Sequence, residues 1–445
     1  MNKKLIILGG GESGVGAALL GKKKGYDVLL FDESSLKDGY RNELQNAGIK
    51  FLEKEISDEE LFSADEVVKS PGIPDKNEIV KKIRARKIPV ISEIEFAYRY
   101  KANSKIVAIT GSNGKSTTTS LIYHICKKAG LDAALVGNIG YSFAKQIAED
   151  PKPLYIAEIS SFQLDDVKDF RPDIAVLLNI TEDHLDRYDY KFEKYIESKF
   201  RIAMNQTSND YFIYNIDDEV ITNYLERNQI QSNQLLISMK KEVAKGAYIK
   251  NDEMKMHTGN EQMSMSVYDF ALKGKHNQYN TMAACVAGAT MDIRKDKIRE
   301  AVQTFESLEH RMEPVATVRG VEFINDSKAT NVNSTWFALE SINKPTVLIL
   351  GGIDKGNDYS FIMDLVKEKV KAIVCLGVDN KNIHDAFAKQ VKLVDTLSAE
   401  EAVYTAFHLA TIGDVVLLSP ACASFDLFKN YEDRGTQFKK AVRDL

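Results

Sequence analysis

The run at residues 106–109 is short, apolar and β-branched, and it ends at Thr110-Gly111-Ser112-Asn113-Gly114-Lys115-Ser116-Thr117. Helical spacing follows at once, with Leu121, Ile122 and Ile125 on one face. A strand that breaks at two glycines and restarts as a helix is the layout of a phosphate-binding loop in an α/β fold. The glycines let successive backbone N–H groups turn toward a polyphosphate, the helix N-terminus adds positive potential, and the lysine supplies a mobile charge. The pattern is T-G-x-x-G-K-S-T and not G-x-x-x-x-G-K-[ST], because Ile109 stands where the first glycine belongs. The plainer alternative is a glycine turn before an ordinary helix with a surface lysine. Strand, glycines, lysine and hydroxyls in register favour nucleotide binding.

At 445 residues the chain is long enough for two or three domains with their own cores. Lys and Arg number 59 against 64 Asp and Glu, a net charge of −5. That balance gives no footprint of a nucleic-acid or membrane-surface protein, while leaving room for acidic small ligands held by a few local cations. Cys126, Cys285, Cys375 and Cys422 are scattered without a C-x-x-C pair, which reads as reduced thiols and not as disulfides or a zinc site. The apolar run at 5–8 stops at Gly9-Gly10-Gly11-Glu12, too soon for a signal peptide, and no segment is long and apolar enough to span a bilayer. The expectation is a cytoplasmic, monomeric enzyme with no nucleic-acid or membrane partner.

Short apolar strands at 5–8 and 28–31 flank a helical stretch from about 14 to 24, and strand-like pieces follow at 66–69 and 89–91. This βαβ rhythm predicts a parallel sheet with helices on its faces. A polar stretch at 96–104 suggests a boundary. A second block holds strands at 106–109, 155–159 and 174–180, weakens beyond Asn215 into short strands and turns over 238–270, and closes with a helix over 280–291. A third begins near Leu308, with strands at 322–324, 346–350, 372–376 and 415–418. The expected organisation is three domains, at residues 1–97, 98–307 and 308–445. The first and last are Rossmann-like, and the central one is a mostly parallel sheet of the P-loop ATPase kind.

Gly9-Gly10-Gly11-Glu12-Ser13-Gly14 fits G-x-G-x-x-G after a strand, and Asp32 ends the next strand. That is the dinucleotide fingerprint, and a nicotinamide dehydrogenase is the rival it raises. The glycines alone could serve only a tight turn, and a dehydrogenase has no use for the second phosphate loop.

In the middle block, Glu158 sits near the end of an apolar strand, where parallel sheets place their ligands and where one carboxylate beside a phosphate loop suits Mg²⁺. The alternative is a solvent-facing glutamate. A second strand runs into Asn179-Ile180-Thr181-Glu182-Asp183-His184, and His184 is there either structural or a ligand. Lys199 falls on the apolar face made by Phe192, Tyr195, Ile196 and Ala203. It either snorkels to the edge or works in a partly buried site. Burial would leave its amine neutral and able to take up CO₂, giving an anionic carbamate ligand.

With these residues the chain resembles the Mur ligase family, the ATP-dependent amide-forming enzymes of peptidoglycan precursor synthesis. The resemblance rests on TGSNGKST, GNIG at 137–140, EISSFQLD at 158–165, NITEDHLDRY at 179–188 and KGKHNQYN at 273–280. It continues through EHRMEPV at 309–315, NDSKATN at 325–331, GGIDKG at 351–356 and LSPACASFDLFKNYEDRG at 418–435. SSFQLD, DSKATN and SPACASFD resemble most the glutamate-adding member. The resemblance implies addition of D-glutamate to UDP-N-acetylmuramoyl-L-alanine through an acyl phosphate; another Mur-type or a folylpolyglutamate synthetase-like ligase is the alternative. It implies a nucleotide site at Gly111, Ser112, Asn113, Gly114, Lys115, Ser116 and Thr117, with Lys115 on the β- and γ-phosphates. Ser116 and Glu158 would hold one Mg²⁺, and His184 with carbamylated Lys199 a second. Asn277 and Asn280 would face the adenine, Asp326 the ribose and Arg311 the phosphates. Ser13, Asp32 and Ser70 would contact the UDP part, and Asn138, Ser161 and Gln163 the muramoyl-alanine part. Lys328, Thr330, Lys355, Ser424, Phe425 and Tyr431 would bind substrate in the third domain, all but Lys328 in the D-glutamate pocket.

The chemistry agrees with the bare residues. A carboxylate is a poor acyl donor in water; ATP turns it into an acyl phosphate, an amine attacks and phosphate leaves. Two anions meet in the first step, which accounts for two metals with Lys115 and Arg311 around the γ-phosphate. A regulatory module that hydrolyses ATP slowly without an acceptor is the third competing class.

Overall fold

The computed structural model describes residues 2–259, 261–306, 309–354 and 356–445. The expected start of the third block at Leu308 and the pocket residue Lys355 therefore lie outside the described residues. The chain forms two compact units, residues 1–271 with 278–305, and residues 272–277 with 306–445.

The first unit carries two sheets. A five-stranded parallel sheet runs in the order Lys50–Glu53, Asp27–Asp32, Lys4–Leu8, Glu66–Lys69, Val90–Ser92. Its central strand, Lys-Leu-Ile-Ile-Leu, buries every residue after the lysine, as expected where helices cover both faces. The second sheet has nine strands, and at its heart Lys105–Thr110 lies between Leu154–Glu158 and Ile174–Leu177, all parallel. The register pairs Ile109 with Glu158 and Thr110 with Leu177, so the strand ends stand level. At the far edge, Gly246–Lys250, Glu253–Thr258 and Glu261–Ser266 form an antiparallel meander. Its first turn, Asn251-Asp252, has φ of 53° and 59° and joins Lys250 to its partner Glu253, the positive-φ two-residue turn that fits strand twist.

Two elements differ from the expectation. The strand expected over 174–180 ends at Leu177, and just beyond it the Asn179 side chain turns to the phosphate loop and accepts Asn113 N–H. The stretch 96–104, read as polar, begins inside the helix Glu93–Tyr98, in which Glu93, Glu95 and Phe96 are buried. Glu95 Oε2 accepts the N–H groups of Lys168, Asp169 and Phe170 at 2.9–3.0 Å, and Glu93 Oε1 accepts Ser142 Oγ and Ala144 N–H at 2.6 Å. Two buried carboxylates thus tie this helix to loops of the nine-stranded sheet.

The second unit holds a six-stranded sheet in the order Glu313–Val318, Val321–Asn325, Val415–Ala421, Thr346–Gly351, Val370–Leu376, Lys392–Thr396. Only the first pair is antiparallel. Among the described residues no helix is long and apolar enough to cross a membrane.

Candidate active site

The phosphate loop is built by its neighbours. Gly111 (φ 154°) and Gly114 (φ 83°) take conformations that L side chains rarely adopt, and a Cβ at Gly114 would stand 2.3 Å from Asn280 Oδ1. Asn179 grips the loop from the next strand end, accepting Asn113 N–H (2.8 Å) and donating to Asn113 O (3.0 Å). Ser112 Oγ bonds Thr181 O (2.9 Å) and the Tyr195 hydroxyl (3.0 Å). Helix Lys115–Lys128 then starts with no acidic residue in its first turn, so its positive end stays uncompensated by its own side chains.

Two lysines meet on this loop. Lys115 Nζ donates to Gly111 O and Ser112 O (both 2.8 Å), and Lys199 Nζ donates to the same Gly111 O (2.9 Å). Lys199 is 1 % exposed, so the apolar helix face does bury it and it does not snorkel. Burial first, and then the charge of Lys115, push its ammonium well below the ordinary lysine range, against Asp183, Asp165 and Glu158. Glu158, also buried, accepts Asn138 Nδ2 on Oε1 (2.7 Å), while its Oε2 is buried without a partner. A buried carboxylate oxygen left unsatisfied at a strand end is costly unless a cation joins it. A cavity of about 290 Å³ opens here, lined by Lys115, Asn138, Ser161, Phe162, Asp183, His184, Tyr195 and Lys199, with Pro71 and Gly72 from the turn after strand Glu66–Lys69. His184 stands at φ 53° with its ring 4.9 Å from that of Phe162, a strained backbone held at the cavity wall.

At the N-terminal glycine turn, Ser13 lies in the first turn of helix Glu12–Lys23. Asp32 Oδ2 accepts Gly10 N–H (2.6 Å) and its Oδ1 accepts Ser34 N–H and Oγ. Burial works upward on this carboxyl, but the bonds from Ser34 and Gly10 outweigh it and hold it below its usual range. A Cβ at Gly9 would stand 2.6 Å from Ser70 Oγ, so Ser70 closes the turn from the neighbouring strand.

The second unit gathers its own polar cluster. Asp326 is buried, bonded by Ser419 Oγ (2.9 Å) and Met312 N–H (3.2 Å); burial pushes its carboxyl up to about 6, against the Arg311 charge. Arg311 Nε is buried without a partner, and burial together with Arg311 pushes the His276 imidazole down to about 4. Arg434, 1 % exposed, bonds Ser327 Oγ and O and Cys422 O, pinning the two motif segments together. Ile353 and Ala423 pair backbone to backbone, Ser424 is buried beside them, and Thr330 and Phe425 are exposed. Lys328 Nζ lies 5.4 Å from the Tyr431 ring centre.

Family models match this chain in three successive segments: a Mur ligase MurD-like N-terminal domain over residues 3–92, a Mur ligase middle domain over 109–288 and a Mur ligase glutamate ligase domain over 310–422. The chain belongs to the Mur ligase family. It is 52 % identical to the UDP-N-acetylmuramoylalanine–D-glutamate ligase of Christiangramia forsetii and 51 % to that of Bacteroides fragilis, each match covering 100 % of both chains. Its fold is similar to that of UDP-N-acetylmuramate-alanine ligase from Thermotoga maritima, with a TM-score of 0.63, 16 % identity and all of both chains covered.

For this Mur ligase the structure brings together Lys115, Glu158, His184, Lys199, Asn138 and Ser161 in or beside one cavity. Ser116 is buried in the first turn of the loop helix. Gln163 spends its side-chain oxygen on the Ser160 N–H as a capping box, so it acts through the turn that presents Ser161. Asn280 sits against Gly114 of the phosphate loop, while Asn277 donates to Lys273 O. Sequence reasoning gave no role to Asn179, Tyr195 or Asp183, or to Arg187, whose guanidinium donates to Pro71 O and Gly72 O of the cavity wall. The signal for three of these was their place in NITEDHLDRY, directly after an apolar strand.

Proposed function

We propose that this chain is an ATP-dependent ligase joining UDP-N-acetylmuramoyl-L-alanine to D-glutamate in peptidoglycan precursor synthesis. The observation that carries the reading is the pair of lysines on Gly111 O in one cavity, with the buried Glu158, one oxygen unpartnered, behind the lining residue Asn138. That is a site for a polyphosphate and a cation, and the full-length similarity to curated D-glutamate ligases names the substrates.

Lys115 and the N-terminus of its helix would bind the β- and γ-phosphates of ATP, with Gly111–Thr117 as the cradle and Asn280 fixing the loop from behind. Ser116 and Glu158 would hold one Mg²⁺, which fits because the buried, unpartnered Glu158 oxygen needs a cation. His184 fits a second site together with Lys199. When bound, the metals would supply positive charge where two anions must approach. Two ammonium groups on one carbonyl repel, and the depressed Lys199 amine is suited to react with CO₂, forming an N–C bond and releasing a proton. The resulting carbamate would turn the repulsion from Lys115 into attraction.

The reaction would start with the muramoyl-alanine carboxylate, positioned by Asn138 and Ser161, attacking the γ-phosphorus while ADP leaves. The amine of D-glutamate would then attack the acyl phosphate and expel phosphate. Ser13, Asp32 and Ser70 would hold the UDP part, Asp326 and Asn277 the nucleoside of ATP, and Arg311 its phosphates. Thr330, Lys355, Ser424, Phe425 and Tyr431, with Lys328 beside Tyr431, would hold D-glutamate, whose side-chain carboxylate needs a cation in a closed site. The deciding measurement is phosphate release. It should require both UDP-N-acetylmuramoyl-L-alanine and D-glutamate, and L-glutamate should fail because inversion at the α-carbon moves the amine from the acyl carbon. Release without an acceptor, or equal use of the two enantiomers, would reject the reading.

A further inference from the structure

A third set of side chains, unused by the reading above, converges in the second unit. The parallel register of Val370–Leu376 and Lys392–Thr396 sets Cys375 opposite Asp395, and such partners point to one face of the sheet. Helix Lys381–Phe387 covers that face and seats Ile383 and Phe387 in the same core cluster as Cys375. From this helix His384 brings Nε2 to 3.0 Å from both Asp395 oxygens. Cys375 Sγ, a His384 ring nitrogen and an Asp395 oxygen all lie within 4.8 Å of one another. Next to them Asn380, 8 % exposed, donates to Asp395 Oδ1 (2.9 Å) and Gly377 O (3.1 Å), while its own Oδ1 is buried without a partner.

We propose that Cys375, His384 and Asp395 form a binding site for a thiophilic divalent cation of the zinc type, with the fourth position left to water. One sulfur, one imidazole and one carboxylate is a donor set that suits zinc and repels Mg²⁺, which demands oxygen. Tetrahedral bonds of about 2.3 Å to sulfur and 2.0–2.1 Å to nitrogen and oxygen put donors roughly 3.5 Å apart. With every pair inside 4.8 Å, the sulfur needs to be approached by at most about 1 Å while the 3.0 Å His384–Asp395 contact opens slightly, shifts that the exposed His384 and Asp395 side chains can make. Asn380 already holds the carboxylate from outside, the role an outer-shell amide plays at metal centres. On binding, the Cys375 S–H bond breaks, its proton goes to solvent and a sulfur–metal bond forms. Thiolate and carboxylate together then neutralise the dication. Burial, with Asp395 alongside, pushes the free thiol up to about 12, so the thiol proton competes with the metal.

The test is a Co²⁺ titration of the full-length protein with Mg²⁺ present. One equivalent should produce a near-ultraviolet thiolate-to-cobalt charge-transfer band that Zn²⁺ abolishes and added Mg²⁺ does not. C375S should lose the band, and the exposed changes H384A and D395N should weaken binding about tenfold or more. Melting curves of the metal-free variants check the fold; if C375S fails to fold, H384A and D395N carry the test. No thiolate band at saturating Co²⁺, a band undiminished in C375S, or full affinity in H384A would overturn the site and leave an ordinary histidine–aspartate pair.

Discussion

At residues 9–14 and again at 111–117 a parallel strand breaks on glycines and restarts as a helix, yet the charges around the two turns have opposite sign. The first turn has Glu12 in its opening helical turn and Asp32 bonded to Gly10 N–H. The second has Lys115 and Lys199 on Gly111 O and no acid in the opening turn of its helix. The backbone geometry is shared; the charge comes from neighbours far away in sequence, Asp32 from the adjacent strand and Lys199 from a helix. A glycine signature therefore announces a turn, and the residues that surround it decide what the turn binds. The phosphate loop is fitted to a polyphosphate. The first turn, with a carboxylate already on one of its N–H groups, would under the proposed function take the less charged UDP end of the substrate.

Removing either lysine at the second turn should have the largest effect. Lys115→Ala should lower kcat by roughly 10³-fold or more while the far-ultraviolet circular dichroism stays unchanged, because the lost charge stabilises phosphoryl transfer. Near-normal turnover in the folded variant would remove the distinction between the turns. Lys199→Ala should be similarly inactive, and a small carboxylic acid should restore part of the activity by replacing the carbamate. Depleting CO₂ should reversibly slow the wild type. A plain ammonium at Lys199 in the active, Mg²⁺-loaded enzyme, seen by carbon NMR, would refute this.

The phosphate loop was legible because each of its parts is local: strand, glycines, lysine and helix follow one another within about a dozen residues. Lys199 was legible for a different reason, a charge on an otherwise apolar helix face. Strands such as Ala133–Gly137, short and bounded by alanines and a glycine, and the half-buried edge strand Lys50–Glu53 gave no pattern, since their strand state depends on the partner they pair with. The same holds for Glu93 and Glu95. Two glutamates in a short segment read as surface, and only the Ser142 hydroxyl and the backbone N–H groups of residues 144 and 168–170 that they accept explain their burial. The third cluster around Cys375 depended on strand register, which sequence spacing does not give.

The acidic surroundings of the first turn reach Glu93, and this gives a pH-dependent prediction. Burial pushes the Glu93 carboxyl from its ordinary 4.5 up to about 7, with the Glu12 charge adding to it and bonds from Ala144 and Ser142 opposing. Folded protein then keeps this proton to about pH 7 while unfolded chain releases it near 4.5. Across that window the folded state binds more protons, so stability falls as pH rises. The contribution is fully present below about pH 4.5 and lost above about 7, and it amounts to about 3 kcal/mol. Glu93→Gln should flatten this fall in urea melts taken across the window. A variant that tracks the wild type at every pH would show that folding leaves the Glu93 carboxyl unshifted.

The smallest effect is expected at Gly11, and it probes the first turn directly. A Cβ would stand 2.6 Å from Ser70 Oγ at Gly9, 1.9 Å from Leu36 Cδ2 at Gly10 and 1.8 Å from Gly9 O at Gly14, so these three glycines are required for packing. Gly11 has φ −81° and ψ −173°, which any residue adopts, and a Cβ there meets nothing within 4 Å. As N-cap of helix Glu12–Lys23, alanine should cost the fold at most about 1 kcal/mol. The space at Gly11 is then room for a ligand's close approach. Gly11→Ala should raise the KM for UDP-N-acetylmuramoyl-L-alanine about tenfold, about 1.4 kcal/mol. The KM values for ATP and D-glutamate and the kcat should hold, because the methyl lies at the turn without Lys115 or Lys199. If all three KM values stay put, the diphosphate does not lie on this turn, and its glycines serve only to fold the strand into the helix.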